Sequence, residues 1–401
     1  MSASASASAT ASASASIRPV ASPSDLRTRR IRFALVGCGR ISKNHFEALR
    51  LHAERAELTA VCDIDPAALA AASSATGACG FATLDDLLAE CEADVVVLAT
   101  PSGLHAPQAI ACAASGRHVL TEKPMATRLE DGQEMAKACS EAGVGLFVVK
   151  QNRLNPTVQL ARRALLAGRF GRIHLATVNV FWTRPQSYYD AAPWRGRWDL
   201  DGGAFMNQAS HYVDLLDWLV GPVESVHAYT ATLARAIEAE DTGVLSARLA
   251  GGGLASINVT MLTFPKNFEG SITLIGERGT VRIGGTALNR IEHWQFDAPD
   301  PADAEVERAG YGTESVYGPG HGLYYENLVS ALRGEAAAHV DGAEGLRSLA
   351  VLTAAYRSAR EGVRVELSSS ASTPPGLGVE LPAAGSVLER ARAVPPLATR
   401  P

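Results

Sequence analysis

The sequence predicts an α/β protein with two domains. We expect an N-terminal doubly wound parallel sheet, followed by an α/β domain with an open, largely antiparallel sheet. The 401 residues suit two domains rather than one. The first half alternates short apolar runs with helix-period stretches, which is typical of a parallel sheet covered by helices. The second half has strand-like runs that alternate apolar and polar residues, with no long helix between them.

The domain boundaries follow from changes in composition. We predict the first domain at residues 31–150 and the second at residues 151–367. Residues 1–30 and 368–401 are predicted to be disordered tails, because they are rich in small and polar residues. The first tail lacks the basic start and apolar run of a secretory signal. A transit peptide remains the alternative for it.

Composition excludes several classes of function. With 37 basic against 42 acidic residues and a net charge of -5, the chain has no excess positive charge to hold nucleic acid. No window approaches the roughly 18 to 20 apolar residues that cross a bilayer, so no membrane role is expected. The six cysteines form no metal-binding or disulfide pattern. We therefore expect reduced thiols, no metal site and a cytoplasmic protein.

The elements of the first domain follow in regular order. Ile31–Val36 is predicted as the first strand, Ile41–Ala53 as the helix after it, and Leu58–Cys62 as the next strand. The alternation continues along the chain, and the right-handed crossover rule then yields a doubly wound sheet. The further predicted helices are Pro66–Ala75, Leu84–Ala89, His105–Ser115 and Leu129–Ala142, and the further strands are Val95–Ala99, His118–Leu120 and Gly145–Val149.

A glycine-rich turn, GCGRIS at residues 37–42, joins the first strand to the first helix. It matches the GxGxxG fingerprint of dinucleotide binding except for a serine at the last position. The glycines allow a pyrophosphate to approach the backbone at the helix N-terminus. Asp63 ends the next strand, where a carboxylate can accept ribose hydroxyls and would repel a 2′-phosphate, so NAD is favoured over NADP. The predicted cofactor residues of this region are Gly37, Gly39, Arg40, Ile41 and Asp63.

Two further loops follow strands at the edge where ligands bind on such sheets. In the first loop, Thr100 and Pro101 end a strand and His105 begins a helix. In the second loop, Glu122 and Lys123 precede a proline, which holds Lys123 extended. We predict that these five residues contact the cofactor, with capping or packing as the alternative role for His105 and a solvated surface charge as the alternative for Lys123.

The second domain carries candidate polar ligands between its elements. Asn207 and His211 are four residues apart, so one face of a helix would present both. Residues 183–200 form a loop rich in aromatic and basic residues, including Trp194 and Arg195. The free face of the antiparallel sheet would expose apolar side chains, which suggests an oligomer. Its predicted strands are Ile173–Trp182, Val223–Thr232, Thr242–Leu249, Leu254–Leu262, Glu269–Leu274 and Thr280–Ile283, and its predicted helices are Asn155–Ala167, Tyr324–Leu332 and Ala343–Arg360.

These motifs together resemble the Gfo/Idh/MocA family of sugar oxidoreductases over about residues 32–365. The resemblance implies an NAD(P)-binding Rossmann domain, an α/β domain with an open sheet, and dimers or tetramers formed through that sheet. The family's catalytic Lys, Asp and His trio is reduced here to Lys123 and His211, because Asn207 replaces the aspartate.

With this substitution, the sequence resembles one subgroup of the family, the UDP-N-acetylglucosaminuronate 3-dehydrogenases of the WlbA/WbpB type. The similar segments are residues 150–153, 194–196, 203–211 and 317–321. The resemblance implies oxidation of the 3-hydroxyl of UDP-2-acetamido-2-deoxy-D-glucuronate to a ketone, in the biosynthesis of bacterial surface polysaccharide (lipopolysaccharide). Some relatives then pass the hydride to 2-oxoglutarate. The substrate-binding residues that we predict are Lys123, Arg153, Arg195, Trp194, Asn207 and His211.

The expected reaction needs a base within about 3 Å of the sugar hydroxyl. Lys123 is our first choice and His211 the alternative, while Asn207 would orient the reacting groups because an amide does not transfer protons at neutral pH. Arg153 and Arg195 would bind the negative charge of the nucleotide sugar, with surface ion pairing as the alternative for each. Other sugar or inositol dehydrogenases, an NAD-dependent glycoside hydrolase of the same superfamily, and a non-catalytic NAD-sensing regulator remain alternatives.

Overall fold

The computed structural model describes residues 20–312 and 320–367. Most of the predicted disordered tails, residues 1–19 and 368–401, lie outside the described residues, as do residues 317–319 of one motif. Within the described part of the N-terminal tail, the expectation of disorder is wrong. Helix α1 (Pro23–Thr28) forms there, because the Ser22 side chain caps it and Leu26 is fully buried.

The N-terminal domain contains the predicted doubly wound sheet. Its strands are β1 (Ile31–Val36), β2 (Ala56–Cys62), β3 (Cys79–Phe81), β4 (Val95–Leu98), β5 (His118–Thr121) and β6 (Leu146–Val148), and its helices are α2 (Ser42–Leu51), α3 (Pro66–Thr76), α4 (Leu84–Glu90), α5 (His105–Ala114) and α6 (Leu129–Glu141). All strand pairs are parallel, and their order is β3-β2-β1-β4-β5-β6. The direction of winding reverses between β1 and β4, so the carboxyl ends of these two strands open the crevice in which ligands bind.

The C-terminal domain contains an eight-stranded sheet. Its strands are β7 (Ile173–Phe181), β8 (Val223–Ala231), β9 (Thr242–Leu249), β10 (Leu254–Thr260), β11 (Glu269–Gly276), β12 (Gly279–Gly284), β13 (Arg290–Phe296) and β14 (Val365–Glu366). Their order is β13-β12-β11-β7-β10-β9-β8-β14, and only the β7–β10 pair is parallel. The prediction of a largely antiparallel sheet is confirmed. Strand β13 was not predicted, because its sequence RIEHWQF is mostly polar or charged.

Six further helices follow among the described residues. They are α7 (Pro156–Leu166), α8 (Gln186–Asp190), α9 (Ser210–Val220), α10 (Val306–Ala309), α11 (Gly320–Leu332) and α12 (Gly342–Glu361), with 3₁₀ turns at Ser102–Leu104, Gln151–Leu154 and Pro301–Glu305 and a π-helical turn at Ala204–Gln208. Helices α7, α9 and α12 contact the sheet. Alternate residues of strand β9 are therefore buried and exposed.

The two domains meet directly above the crevice. Helix α11 packs on α2, where the Tyr325 hydroxyl lies 2.8 Å from Nδ1 of His45. The backbone of Gly103, after strand β4, donates a hydrogen bond to the Leu200 carbonyl at 3.0 Å. A Cβ at Gly103 would lie only 1.8 Å from the Asp199 carbonyl oxygen, so only glycine permits this close approach of the two loops.

All six cysteines lie in the first domain. All six cysteines are free thiols, and Cys62, Cys91, Cys112 and Cys139 are buried. Among the helices of the described residues, none has the length and apolar composition required to cross a membrane.

Candidate active site

The glycine turn leaves open space in front of helix α2. Gly37 has φ +96°, and a Cβ there would lie 2.6 Å from the Ala99 backbone, so glycine is required where β1 and β4 end side by side. A Cβ at Gly39 would meet nothing within 4 Å. No side chain caps the N-terminus of α2 at Ile41. An unobstructed, uncapped helix N-terminus is suited to bind a phosphate.

Asp63 faces this turn from the end of strand β2. Its Oδ2 accepts a hydrogen bond from the Cys38 backbone at 2.7 Å, and its Oδ1 accepts one from the Asp65 backbone at 2.8 Å. The side chain is half-buried, so each oxygen retains a lone pair for a ligand hydroxyl. Asp65 instead caps α3 by accepting from the Ala67 backbone at 2.9 Å. Asp63 is thus the acid that lies beside the turn.

The loop after strand β4 is held by His105. This side chain is 0% exposed, and its ring nitrogens lie 2.9 Å from the Thr100 carbonyl oxygen and 3.0 Å from that of Pro124. Burial lowers the pKa of His105. The geometry argues against the predicted cofactor contact, because the imidazole is turned into the protein and joins the Thr100 loop to the Lys123-Pro124 loop. Thr100 and Pro101 lie at the strand end, and their contact with the cofactor stays a prediction.

Glu122 lies beneath the site in a buried cluster. Its Oε1 is 3.2 Å from Nε2 of His45 and 3.6 Å from Nε2 of His321, and its Oε2 accepts from the Lys123 backbone at 3.1 Å. Burial opposes ionisation, but contact with the two histidines holds the pKa of Glu122 well below its usual range. The three side chains are close enough for a metal ion to bridge them. The Tyr325 hydroxyl lies 2.8 Å from the other nitrogen of His45, whereas neither ring nitrogen of His321 has a hydrogen-bond partner among the described residues.

Lys123 reaches across the crevice to Asn207. Its Nζ donates to the Asn207 backbone carbonyl at 2.9 Å and lies 3.5 Å from the side-chain Oδ1. The expectation that Asn207 and His211 share one α-helical face is wrong. Asn207 belongs to the π-helical turn, in which the Ala209 backbone donates to the Ala204 carbonyl, and α9 begins only after it. Such wide turns are frequent at functional sites.

His211 lies in the first turn of α9 and is 6% exposed. Its Nε2 lies 3.3 Å from the amide nitrogen of Gln151, and its Nδ1 has no hydrogen-bond partner among the described residues. Burial, followed by the charges of Lys123 and Lys150, holds the pKa of His211 well below its usual range. The imidazole is therefore neutral at physiological pH and can exchange a proton with a ligand.

Asp201 was not among the predicted residues, although it lies in the same site. It is 1% exposed, its Oδ2 accepts from the Gly196 backbone at 2.7 Å, and its Oδ1 accepts from the side-chain amide of Asn207. Burial raises the pKa of Asp201 to about 6. The sequence signal that could have identified it is a lone acid directly before Gly202-Gly203 at the start of an apolar segment.

Arg153 is engaged inside the protein. Its guanidinium donates two hydrogen bonds to Asp214 at 2.8 Å each and one to Glu344 at 2.8 Å, and the residue is 5% exposed. This geometry argues against its predicted contact with the substrate. The partners come from helices α9 and α12, whose approach to residue 153 depends on the tertiary fold.

Arg195, the second arginine predicted to bind the substrate, packs on two aromatic rings. Its Nη1 donates to the Tyr188 carbonyl at 2.5 Å, and its guanidinium lies 4.3 Å from the Tyr188 ring centroid and 5.4 Å from the Trp194 ring centroid. Its charge acts on the Asp201 carboxyl. Arg195 and Trp194 are both half-buried, and their contact with substrate stays a prediction.

Both domains match models of one oxidoreductase family. The model described as "Oxidoreductase family, NAD-binding Rossmann fold" matches residues 31–150. The model described as "Oxidoreductase family, C-terminal alpha/beta domain" matches residues 162–367. Together they span most of the chain.

The chain is also similar to solved structures with ligands. One is the WlbA dehydrogenase from Bordetella pertussis in complex with NADH and UDP-GlcNAcA, at 66% identity and a TM-score of 0.83, covering 85% of this chain and 98% of that chain. Another is the WlbA dehydrogenase from Chromobacterium violaceum with the same ligands, at 63% identity and a TM-score of 0.82. The similarity covers 85% of this chain and 96% of that chain. A curated relative, D-apiose dehydrogenase from Paraburkholderia graminis, is 27% identical over 89% of this chain and 95% of its own length.

Proposed function

Because the chain belongs to the Gfo/Idh/MocA family of oxidoreductases, we propose that it oxidises the 3-hydroxyl of UDP-2-acetamido-2-deoxy-D-glucuronate to a ketone with NAD. Two similar structures, at 63% and 66% identity, contain NADH and UDP-GlcNAcA. The observation that carries the proposal is the approach of Lys123 to the turn before His211, which brings an amine from one domain to an imidazole from the other.

The residues of the first domain fit NAD. The open space above Gly39 and the uncapped start of α2 suit the pyrophosphate, and the carboxylate of Asp63 suits the adenosine ribose. When bound, NAD supplies the hydride acceptor for the alcohol. The carboxylate of Asp63 would repel a 2′-phosphate, which supports NAD rather than NADP.

In this proposal, the Lys123 amine accepts the proton of the reacting hydroxyl. The Asn207 carbonyl holds this amine in the crevice, within reach of a sugar bound between the domains. His211 is neutral because of its burial, so it can instead take the proton or hold the hydroxyl in place. Asn207 orients the amine and transfers no proton.

The charge of the substrate also fits local features of the site. A uronate carboxylate and a diphosphate bring about three negative charges, which local cations must balance in a chain of net charge -5. Arg195 is the candidate for direct contact. Trp194 is the candidate for stacking on uracil or sugar. Arg153 instead holds Asp214 behind the site.

Mass spectrometry tests the proposal. The purified protein is incubated with NAD and UDP-2-acetamido-2-deoxy-D-glucuronate, with and without 2-oxoglutarate. We expect a product lighter by two hydrogens and, if 2-oxoglutarate accepts the hydride, formation of 2-hydroxyglutarate. UDP-N-acetylglucosamine, which lacks the carboxylate, is the matched control. Oxidation of inositol or free aldoses alone, or release of free sugar without NADH, would contradict the proposal in favour of another family activity.

We further propose that the chain is a cytoplasmic homo-oligomer, a dimer or tetramer, that supplies a 3-keto sugar to surface polysaccharide synthesis. The free thiols support a reducing compartment. The outer face of the eight-stranded sheet exposes paired apolar side chains, including Leu175 opposite Leu254 and Tyr229 opposite Val244. Light scattering of the wild type and of Tyr229→Glu tests this interface. A monomeric wild type would contradict it.

A further inference from the structure

We propose that Asp201 is a positioning residue that sets the amide of Asn207 so that its oxygen faces the Lys123 amine. The inference rests on the proposed function in that it takes Lys123 as the base. It concerns a buried carboxylate that lies behind Asn207 and accepts a hydrogen bond from its side-chain amide. The role is therefore distinct from that of Lys123 or His211.

The orientation of the Asn207 amide follows from its two neighbours. Its nitrogen donates to Oδ1 of Asp201, since a carboxylate accepts hydrogen bonds and donates none. The amide oxygen must then point away from Asp201, and it lies 3.5 Å from Nζ of Lys123. A reversed amide would place two acceptors together at Asp201 and two donors together at Lys123. Asp201 thus selects the orientation that attracts the amine.

The carboxylate is itself held in place from the other side. Its Oδ2 accepts a hydrogen bond from the Gly196 backbone at 2.7 Å, and the Gly196 carbonyl in turn accepts one from the Ala239 backbone at 2.9 Å. Two donors therefore approach two different oxygens of Asp201. An asparagine at position 201 has only one acceptor oxygen, so it cannot serve Gly196 and Asn207 together.

Burial and nearby charges determine the pH at which the Asp201 side chain is ionised. The charges of Lys123 and Arg195 favour the ionised form of Asp201, while its burial and the neighbouring carboxyl of Glu240 oppose ionisation. Tyr189 also lies near Asp201. The pKa of Asp201 of about 6 leaves the side chain ionised at neutral pH. Both of its acceptor oxygens are then available under the conditions of the reaction.

An exchange of the two side chains tests the inference. In Asp201→Asn, we expect kcat to fall about tenfold or more with KM changed less than about twofold, because the amine loses its orientation. In the double variant Asp201→Asn with Asn207→Asp, the amide introduced at position 201 accepts from Gly196 and donates to the carboxylate introduced at position 207, whose other oxygen faces Lys123. We expect this variant to recover kcat to within about threefold of wild type. Asp199→Asn, at an exposed position, is the matched control.

A second readout is independent of turnover. The rate at which an amine-reactive acylating reagent modifies Lys123 is measured by peptide mass spectrometry in the protein without substrate. We expect faster modification in Asp201→Asn than in wild type and a wild-type rate in the exchange variant. Unchanged kcat and labelling in Asp201→Asn, or an exchange variant as impaired as the single variant, would overturn the inference. A wild type that oxidises no nucleotide sugar would instead refute the proposed function, while the labelling comparison still tests Asp201.

Discussion

Lys123 and Asn207 belong to different domains, and the amine of the first donates a hydrogen bond to the backbone carbonyl of the second at 2.9 Å. Lys123 lies in the loop after strand β5, whereas Asn207 lies in the π-helical turn before α9. Because the acceptor is a backbone atom, this contact depends on how the domains meet, and the side-chain oxygen of Asn207, 3.5 Å from the same amine, adds a second contact. The packing of the domains therefore decides the position of the proposed base.

Replacing Lys123 tests its assignment as the base. Lys123→Met removes the amine but keeps most of the side-chain volume, so we expect kcat to fall about 10²- to 10⁴-fold. NADH affinity, measured by fluorescence titration, should stay within about threefold of wild type. Lys137→Met, at an exposed lysine of α6, is the control. If Lys123→Met instead abolishes NADH binding and leaves the reaction rate of bound enzyme intact, the assignment fails.

The two glycines of the turn should respond differently to alanine. Gly37→Ala forces a Cβ against the Ala99 backbone at positive φ, so we expect the melting temperature to fall by several degrees. Gly39→Ala meets no protein atom, so the melting temperature without cofactor should be unchanged, while NADH binding weakens about tenfold or more. Gly251→Ala, also in open space, is the control. Normal NADH binding by Gly39→Ala would place the pyrophosphate elsewhere.

The preference for NAD should depend on Asp63. In Asp63→Ser the carboxylate that accepts ribose hydroxyls and repels a 2′-phosphate is absent, so the ratio of kcat/KM for NAD over NADP should fall about tenfold or more. Asp65→Ser is the control, because serine also caps helices and keeps that role at α3. Steady-state rates with both cofactors provide the measurement. An unchanged ratio in Asp63→Ser would show that another group discriminates between them.

The stability of the protein should fall with rising pH because of Glu240. Burial raises its pKa to about 7, and its Oε2 has no partner among the described residues. The folded state therefore binds the proton more tightly than the unfolded chain, and deprotonation between pH 5 and 8 costs about 2 to 3 kcal/mol. Glu240→Gln keeps the Oε1 acceptor for Phe205 and Tyr356 and removes this titration.

Thermal unfolding at pH 5 and pH 8 measures the effect. The melting temperature of the wild type should fall by several degrees more than that of Glu240→Gln over this range. Glu238→Gln, at an exposed position two residues away, should behave like the wild type. Equal losses in wild type and Glu240→Gln would contradict burial as the source of the pH dependence.

Local sequence was sufficient for the Rossmann domain and its turn. Strand β1, the glycines and Asp63 are close in the sequence or follow at the ends of successive strands, so backbone chemistry alone constrains them. The sequence was less informative for edge strands such as β13 and for the capped helix α1 beside a low-complexity segment. Strand β13 is stabilised by its pairing with β12, whereas α1 combines a local cap at Ser22 with the burial of Leu26.

The polar residues of the second domain were harder to assign. Arg153 and His105 have the types expected of ligands, yet each is satisfied inside the protein, by Asp214 in one case and by two backbone carbonyls in the other. Asp201 has only a weak signal in the sequence, because an acid before two glycines is also common in ordinary turns. Its burial against Asn207 appears only when the loop folds back.

The amino-acid sequence alone determined the two-domain architecture and the dinucleotide turn, because these depend on local backbone geometry and residue type. The choice of Lys123 and His211 for the chemistry rests on the resemblance of the sequence to the family. Only the tertiary structure decided which polar side chains face the crevice and which are paired inside the protein. That distinction depends on contacts between residues far apart in the chain, such as Arg153 with Glu344, and no local pattern encodes which partner a buried charge will find.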